Sequence, residues 1–144
     1  MSTRHAEADW SGSVQEGRGN VKVESGVLDS PYSFQGRFEE GTGTNPEELL
    51  GAAHAGCFTM ALSNLLSGAG TPPDSLRSTA DVTIQMNGPD DIFISKIHLT
   101  TRGTVPGVSE EDFVSAANGA KEGCPLSKAL ASVSEITLDA ALEG

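Results

Sequence analysis

The stretch from Leu49 to Leu66 constrains this chain of 144 residues more than any other part of it. Leu49, Leu50, Ala52, Ala53, Ala55, Cys57, Phe58, Met60, Ala61, Leu62, Leu65 and Leu66 cover nearly every face of a helix. A helix that is apolar all round is a central one, enclosed by other elements. Its start is marked by Asn45-Pro46-Glu47-Glu48. Asn45 can cap free backbone N–H groups, Pro46 suits the first helical position, and Glu48 stands at the capping-box position. The acidic pair also matches the positive end of the helix dipole. The helix should end near Gly68 to Gly70, before Pro72-Pro73. The run reaches membrane-spanning length, but His54, Ser63 and Asn64 inside it and two glutamates at its entrance fit a buried core helix better.

The segments around this helix carry a period of two. Ala6 to Val14 reads as a strand, Glu16-Gly17-Arg18-Gly19 as a turn, and Val21 and Val23 as a second strand running towards Val27 and Leu28. Tyr32, Phe34 and Phe38 suggest a third strand with Arg37 on the face opposite the aromatics. The first third is therefore expected to be an antiparallel meander, joined to the helix by Gly41 to Asn45. Beyond the helix, Ala80 to Met86 and Ile92 to Val105 read as a hairpin turning at Asn87-Gly88-Pro89-Asp90. Ser109 then caps a second helix with Phe113, Val114, Ala117 and Ala120 on its apolar side. Gly123 breaks it, Cys124-Pro125 opens a short third helix through Leu130, and Ile136 to Leu142 closes the chain as a strand. Strands, helix, strands, helices and strand in that order predict an α+β fold with antiparallel sheet.

The charge balance narrows the partners. Nine Lys and Arg against twenty Asp and Glu give a net charge of −11, which supplies no basic footprint for nucleic acid and repels anionic membrane surfaces. Met1 to Trp10 contain no apolar core of a secretory signal, so the expected compartment is a reducing cytoplasm. There, two cysteines are more often reactive than structural. With 5% aromatic residues and 17 glycines, the chain can recover buried surface by dimerising.

Cys57 lies within the apolar helix, where the bland reading is a small buried hydrophobe. Burial raises a thiol's pKa, so reactivity there requires a nearby cation. Cys124, after Gly123 and before Pro125, starts a helix, where free N–H groups favour a thiolate. A bridge between the two would be a tertiary contact, and a transient catalytic one is allowed. His54, three residues before Cys57, could activate a thiol or join the cysteines around a metal. No third orienting group and no paired ligand spacing support either reading, and packing is the simpler role. Arg37 could hold a thiolate and polarise a bound oxygen, with Glu47 orienting its guanidinium. Each could equally be a solvated surface charge.

Asn45-Pro46-Glu47-Glu48-Leu49-Leu50-Gly51-Ala52-Ala53-His54-Ala55-Gly56-Cys57-Phe58 closely resembles the central-helix signature of the OsmC/Ohr family of organic hydroperoxide reductases. Ala120-Lys121-Glu122-Gly123-Cys124-Pro125-Leu126-Ser127 resembles the family's second motif. Trp10-Ser11-Gly12, Glu24-Ser25-Gly26-Val27-Leu28 and Thr79-Ala80-Asp81-Val82 look like the OsmC branch. The resemblance runs through the chain in order, as one OsmC-like domain over residues 1–144.

This resemblance implies an antiparallel sheet around a long central helix in an intertwined homodimer, and a thiol peroxidase without metal, haem or flavin that serves in oxidative and osmotic stress defence. In the family the first cysteine attacks an organic hydroperoxide and becomes a sulfenic acid, the second condenses with it as a disulfide, and an external dithiol reduces the pair. In the Ohr branch that reductant is commonly a lipoylated protein. Carried over, Cys57 is peroxidatic, Cys124 is resolving, Glu47 is the family's carboxylate and Arg37 its arginine, with Arg18 as the rival at the Ohr-type position. His54 is common in the OsmC branch and missing from Ohr sequences, which weighs against a catalytic role for it. Phe58, Met60 and the aromatic strand would form an apolar pocket favouring organic peroxides. Ten helical residues, about 15 Å of rise, separate Glu47 from Cys57, so Glu47 should serve the cysteine of a partner chain. Two other readings use the same residues: a thiol redox sensor, and a binding module holding a metal near Cys57, His54 and Cys124.

Overall fold

The period-two pattern of the N-terminal third is realised as three antiparallel strands, β1 (Ala6–Ser11), β2 (Arg18–Val23) and β3 (Asp29–Tyr32), in the order β1-β2-β3. Gly19 pairs with Trp10 on one side and Tyr32 on the other, and the two rings lie 5.3 Å apart. A Cβ at Gly19 would meet each ring at 2.7 Å, so this aromatic pair requires a glycine between its members. The expected turn sits slightly earlier than Glu16–Gly19. The chain reverses over residues 13–17, closed by Gly17 N–H donating to the Ser13 carbonyl at 2.7 Å, and Arg18 already belongs to β2.

The expected third strand is corrected in its second half. β3 ends at Tyr32, and Phe34–Phe38 is a short helix, α1. Ser33 is its N-cap, its Oγ accepting the Gly36 N–H at 3.2 Å. Phe34 and Phe38, four residues apart, meet on one helical face with ring centroids at 4.9 Å. Arg37 thus stands on α1 rather than on a strand face opposite the aromatics.

The computed structural model describes residues 1–143 and divides into two compact units, Met1–Leu49 and Leu50–Gly144. The boundary falls in the first turn of α2 (Pro46–Gly68), which begins and ends where its capping and glycine signals put it. Asn45 Oδ1 accepts the Glu48 N–H at 2.8 Å. The Glu48 carboxylate accepts from Thr44 Oγ1 at 2.7 Å, one residue outside a capping box.

In the second unit, β4 (Ser75–Met86) and β5 (Ile92–Thr104) form the expected antiparallel hairpin, with a bulge between Thr83 and Ile84. The chain then runs through α3 (Glu110–Gly123) and α4 (Pro125–Ala129) before β6 (Ile136–Leu142) pairs with β5. That last pairing is parallel, from Ile97 opposite Ile136 to Gly103 opposite Leu142. The sheet is therefore mixed, because a crossover through two helices returns the chain in the direction it left. The architecture is α+β, with two three-stranded sheets.

The core of this unit joins Phe58, Leu62 and Leu66 of α2 to Ile97 and Leu99 of β5 and to Phe113, Ala117 and Ala120 of α3. Beyond its first turn, only one stripe of α2 is buried, comprising Gly51, His54, Phe58, Leu62 and Leu66. Ala52, Ala53 and Gly56 are exposed, and Met60 is 76% exposed, so the opposite face of this apolar helix is uncovered in the single chain. By length and composition alone α2 could cross a membrane, with a mean hydropathy of 1.4, yet its Phe58 stripe is seated in the core.

Candidate active site

Cys124 occupies the joint between α3 and α4 and caps both. Its N–H donates to the Ala120 carbonyl at 3.0 Å, ending α3, and its sulfur accepts the Ser127 N–H at 3.4 Å, starting α4. Pro125 is the local cause: a residue before proline is pushed out of the helical region, and Cys124 has φ −67° and ψ 144°. Proline at the first helical position then restarts the helix. The Cys124 side chain is thereby held inside, 1% exposed, with its thiol donating to Ser127 Oγ at 3.1 Å.

Cys57, on α2, is half-buried and, like Cys124, a free thiol. Burial pushes its pKa up. A backbone hydrogen bond from Leu126 in α4 pulls it back, and the nearby Cys124, by charge and side-chain hydrogen bonding, raises it again. The two thiols are thus neighbours, Cys57 on α2 and Cys124 at the joint of α3 and α4. Within this unit, then, the balance keeps Cys57 protonated, and ionising it calls for a cation.

His54, one turn before Cys57, is fully buried, and its Nε2 lies 2.7 Å from Ser127 Oγ. With the Cys124 thiol donating to that oxygen, the hydroxyl's own proton is free to point at Nε2. Burial lowers the His54 pKa and keeps the ring neutral. Its Nδ1 is buried without a partner among the described residues. A hydrogen bond contributes about 0.5–1.5 kcal/mol and an unsatisfied buried polar atom costs about 1–3 kcal/mol, so an apolar side chain would serve stability better here. Ser127 is the residue that sequence reasoning missed. Its signal was available as a serine at the third position of a helix that a cysteine caps.

Arg37 and Glu47 come together in the first unit, Nε to Oε1 at 2.9 Å. Glu47 is 7% exposed and its Oε2 has no partner among the described residues. Glu47 thus orients the guanidinium through a single-pronged contact rather than a bidentate pair. Arg37 also lies over the Phe38 ring, 5.7 Å from its centroid, while Arg18 lies exposed at the start of β2. The pair Arg37–Glu47 belongs to one compact unit and the pair Cys57–Cys124 to the other. The expected apolar pocket is corrected in part: Phe58 is completely buried and committed to the core, so its ring offers no open surface to a substrate. Among the described residues no three His, Cys, Asp or Glu side chains gather as a metal-ligand set.

Residues 39–139 match the family model of OsmC-like proteins. The peroxiredoxin OsmC of Escherichia coli (strain K12) is 47% identical over 137 residues, 94% of each chain. The organic hydroperoxide resistance protein OhrB of Bacillus subtilis (strain 168) is 33% identical over 112 residues, covering 77% of this chain and 80% of that one. Among solved structures, an organic hydroperoxide resistance protein from Elizabethkingia anophelis superposes with a TM-score of 0.79 at 26% identity, covering 99% of this chain and 98% of that one.

Proposed function

The chain belongs to the OsmC-like family, and from that premise we propose that it is a cysteine-based peroxidase reducing organic hydroperoxides to alcohols. The observation that carries the reading is the pair of free thiols, Cys57 on α2 and Cys124 at the joint before α4, close enough for Cys124 to act on the Cys57 thiol. The Cys57 thiolate attacks the terminal oxygen of the hydroperoxide and breaks the O–O bond. The alkoxide leaves and takes up a proton, and Cys57 becomes a sulfenic acid. The Cys124 sulfur then attacks the Cys57 sulfur, expelling water and closing a disulfide. An external dithiol in a reducing cytoplasm restores both thiols, as a lipoylated protein could.

Two features support a homodimer. In the first unit only Thr44 and Glu47 are buried, so its sheet encloses no apolar core of its own. On α2, Ala52, Ala53, Gly56 and Met60 remain open, and a Cβ at Gly56 would meet nothing within 4 Å. A mid-helix glycine costs about 1 kcal/mol relative to alanine, and close approach of a second chain gives it a purpose. In that dimer Arg37, oriented by Glu47, serves the Cys57 of its partner and supplies the positive charge that the raised thiol requires.

Steady-state turnover of tert-butyl hydroperoxide with a dithiol tests the reading. Wild type should turn over continuously, Cys57→Ser should be inactive, and Cys124→Ser should lose most dithiol-dependent turnover. Oxidation of the wild type once, without turnover, would mark a redox sensor instead.

A further inference from the structure

The hydrogen-bonded chain behind Cys124 has no part in the attack on peroxide. It runs from the Cys124 thiol to Ser127 Oγ at 3.1 Å and on to His54 Nε2 at 2.7 Å, linking α4 to α2 across 73 positions of sequence. All three side chains are buried, and the hydrogens can point one way, from sulfur to oxygen to nitrogen. Cys57 is not on this line, and His54 reaches no sulfur directly. His54 also holds its second nitrogen, Nδ1, buried and without a partner among the described residues, where most buried polar atoms are hydrogen-bonded.

We propose that Ser127 and His54 are positioning residues for the resolving half of the reaction, forming a relay that withdraws the Cys124 proton as the disulfide closes. This rests on the peroxidase reading and adds to it. In the step, the Cys124 S–H proton passes to Ser127 Oγ while the Ser127 hydroxyl proton passes to His54 Nε2. The freed sulfur electron pair attacks the Cys57 sulfur and breaks its S–O bond. The departing hydroxide takes a proton from solvent, which half-buried Cys57 meets, and leaves as water. A sulfenic acid and a thiol thus become a disulfide and water, with the Cys124 proton held on His54 until reduction of the disulfide by the external dithiol returns it through Ser127 to the Cys124 sulfur. The neutrality that burial imposes on the ring keeps Nε2 able to accept.

The relay predicts a defect confined to the second step. Reduced wild type, His54→Gln, Ser127→Ala and the double variant are each mixed with one equivalent of tert-butyl hydroperoxide. Hydroperoxide loss, dimedone-trapped sulfenic acid on Cys57 and the Cys57–Cys124 disulfide are followed against time. Loss of hydroperoxide should proceed at the wild-type rate in all four. Disulfide closure should slow by about a hundredfold, at the low end for a lost proton-transfer group, with trapped sulfenic acid rising to match. His54→Gln can keep a hydrogen bond to Ser127 yet takes up no proton. The solvent deuterium isotope effect on closure in wild type should therefore vanish in this variant, a change that altered packing would not produce. The double variant should be no slower than either single one. Closure at the wild-type rate in both single variants, or an unchanged isotope effect in His54→Gln, overturns the relay while leaving the peroxidase intact. Wild type that consumes no hydroperoxide overturns both.

Discussion

Arg37 Nε and Glu47 Oε1 lie 2.9 Å apart, joining α1 to the first turn of α2 through one prong of the guanidinium and one oxygen of the carboxylate. The nearly buried carboxylate thus fixes a cation that is itself 38% exposed and able to face a second chain. If that cation activates the Cys57 of the partner, two separately inactive chains should complement each other. Cys57→Ser supplies Arg37 and Glu47, and Glu47→Ala supplies the thiol. After unfolding and refolding together in equal amounts, the mixture should recover about a quarter of wild-type turnover. About half of the symmetric dimers are then mixed, each with one intact site.

Met60 projects from the uncovered face of α2 at 76% exposure. Met60→Glu places a charge where the proposed dimer buries an apolar surface, at a side chain that is mostly exposed in its own chain. The variant should keep its circular dichroism spectrum, run as a monomer in size-exclusion chromatography with light scattering, and lose at least about 90% of turnover, since an unpaired charge at such an interface is strongly unfavourable.

His54 provides a pH signature. Burial depresses its folded pKa, so the unfolded chain binds the extra proton first. The stability this burial allows is intact above the ordinary histidine value of 6.5 and is lost as the pH falls below it towards the lowered folded value. Urea midpoints between pH 7.5 and 5 should therefore drop more steeply in wild type than in His54→Gln, whose side chain does not titrate.

Much of the fold was legible because its signals are local. Asn45-Pro46 starts α2, Ser109 caps α3 by accepting the Asp112 N–H at 3.1 Å, and Asn87 to Asp91 turns the β4–β5 hairpin. What was misread depends on longer-range partners or on very short elements. Five residues with aromatics four apart fit α1 as well as a strand, and the Ser33 cap decides between them. No local pattern states that β6 runs parallel to β5, since the path through α3 and α4 sets that direction. In the candidate site the cysteines stood out by context. Ser127 did not, because a serine in a first helical turn is commonplace and its partner His54 lies 73 positions away.

Gly103 tests the packing that holds β5 against α3. A Cβ there would lie 2.7 Å from Leu76 Cδ2 and 3.1 Å from the Phe113 ring. Because Phe113 is completely buried, it has little room to yield. Gly103→Ala should lower the unfolding free energy by about 1–3 kcal/mol in urea denaturation, the usual cost of an overpacked core.

The central claim concerns which sulfur meets the peroxide and which one closes on it. Intact-protein mass spectrometry after one equivalent of cumene hydroperoxide, with dimedone present, reads this directly. The account predicts a Cys57–Cys124 disulfide in wild type, a dimedone adduct on Cys57 in Cys124→Ser, and neither product with unconsumed hydroperoxide in Cys57→Ser. Hydroperoxide consumed at the wild-type rate by Cys57→Ser, or an adduct found on Cys124 instead, would contradict it.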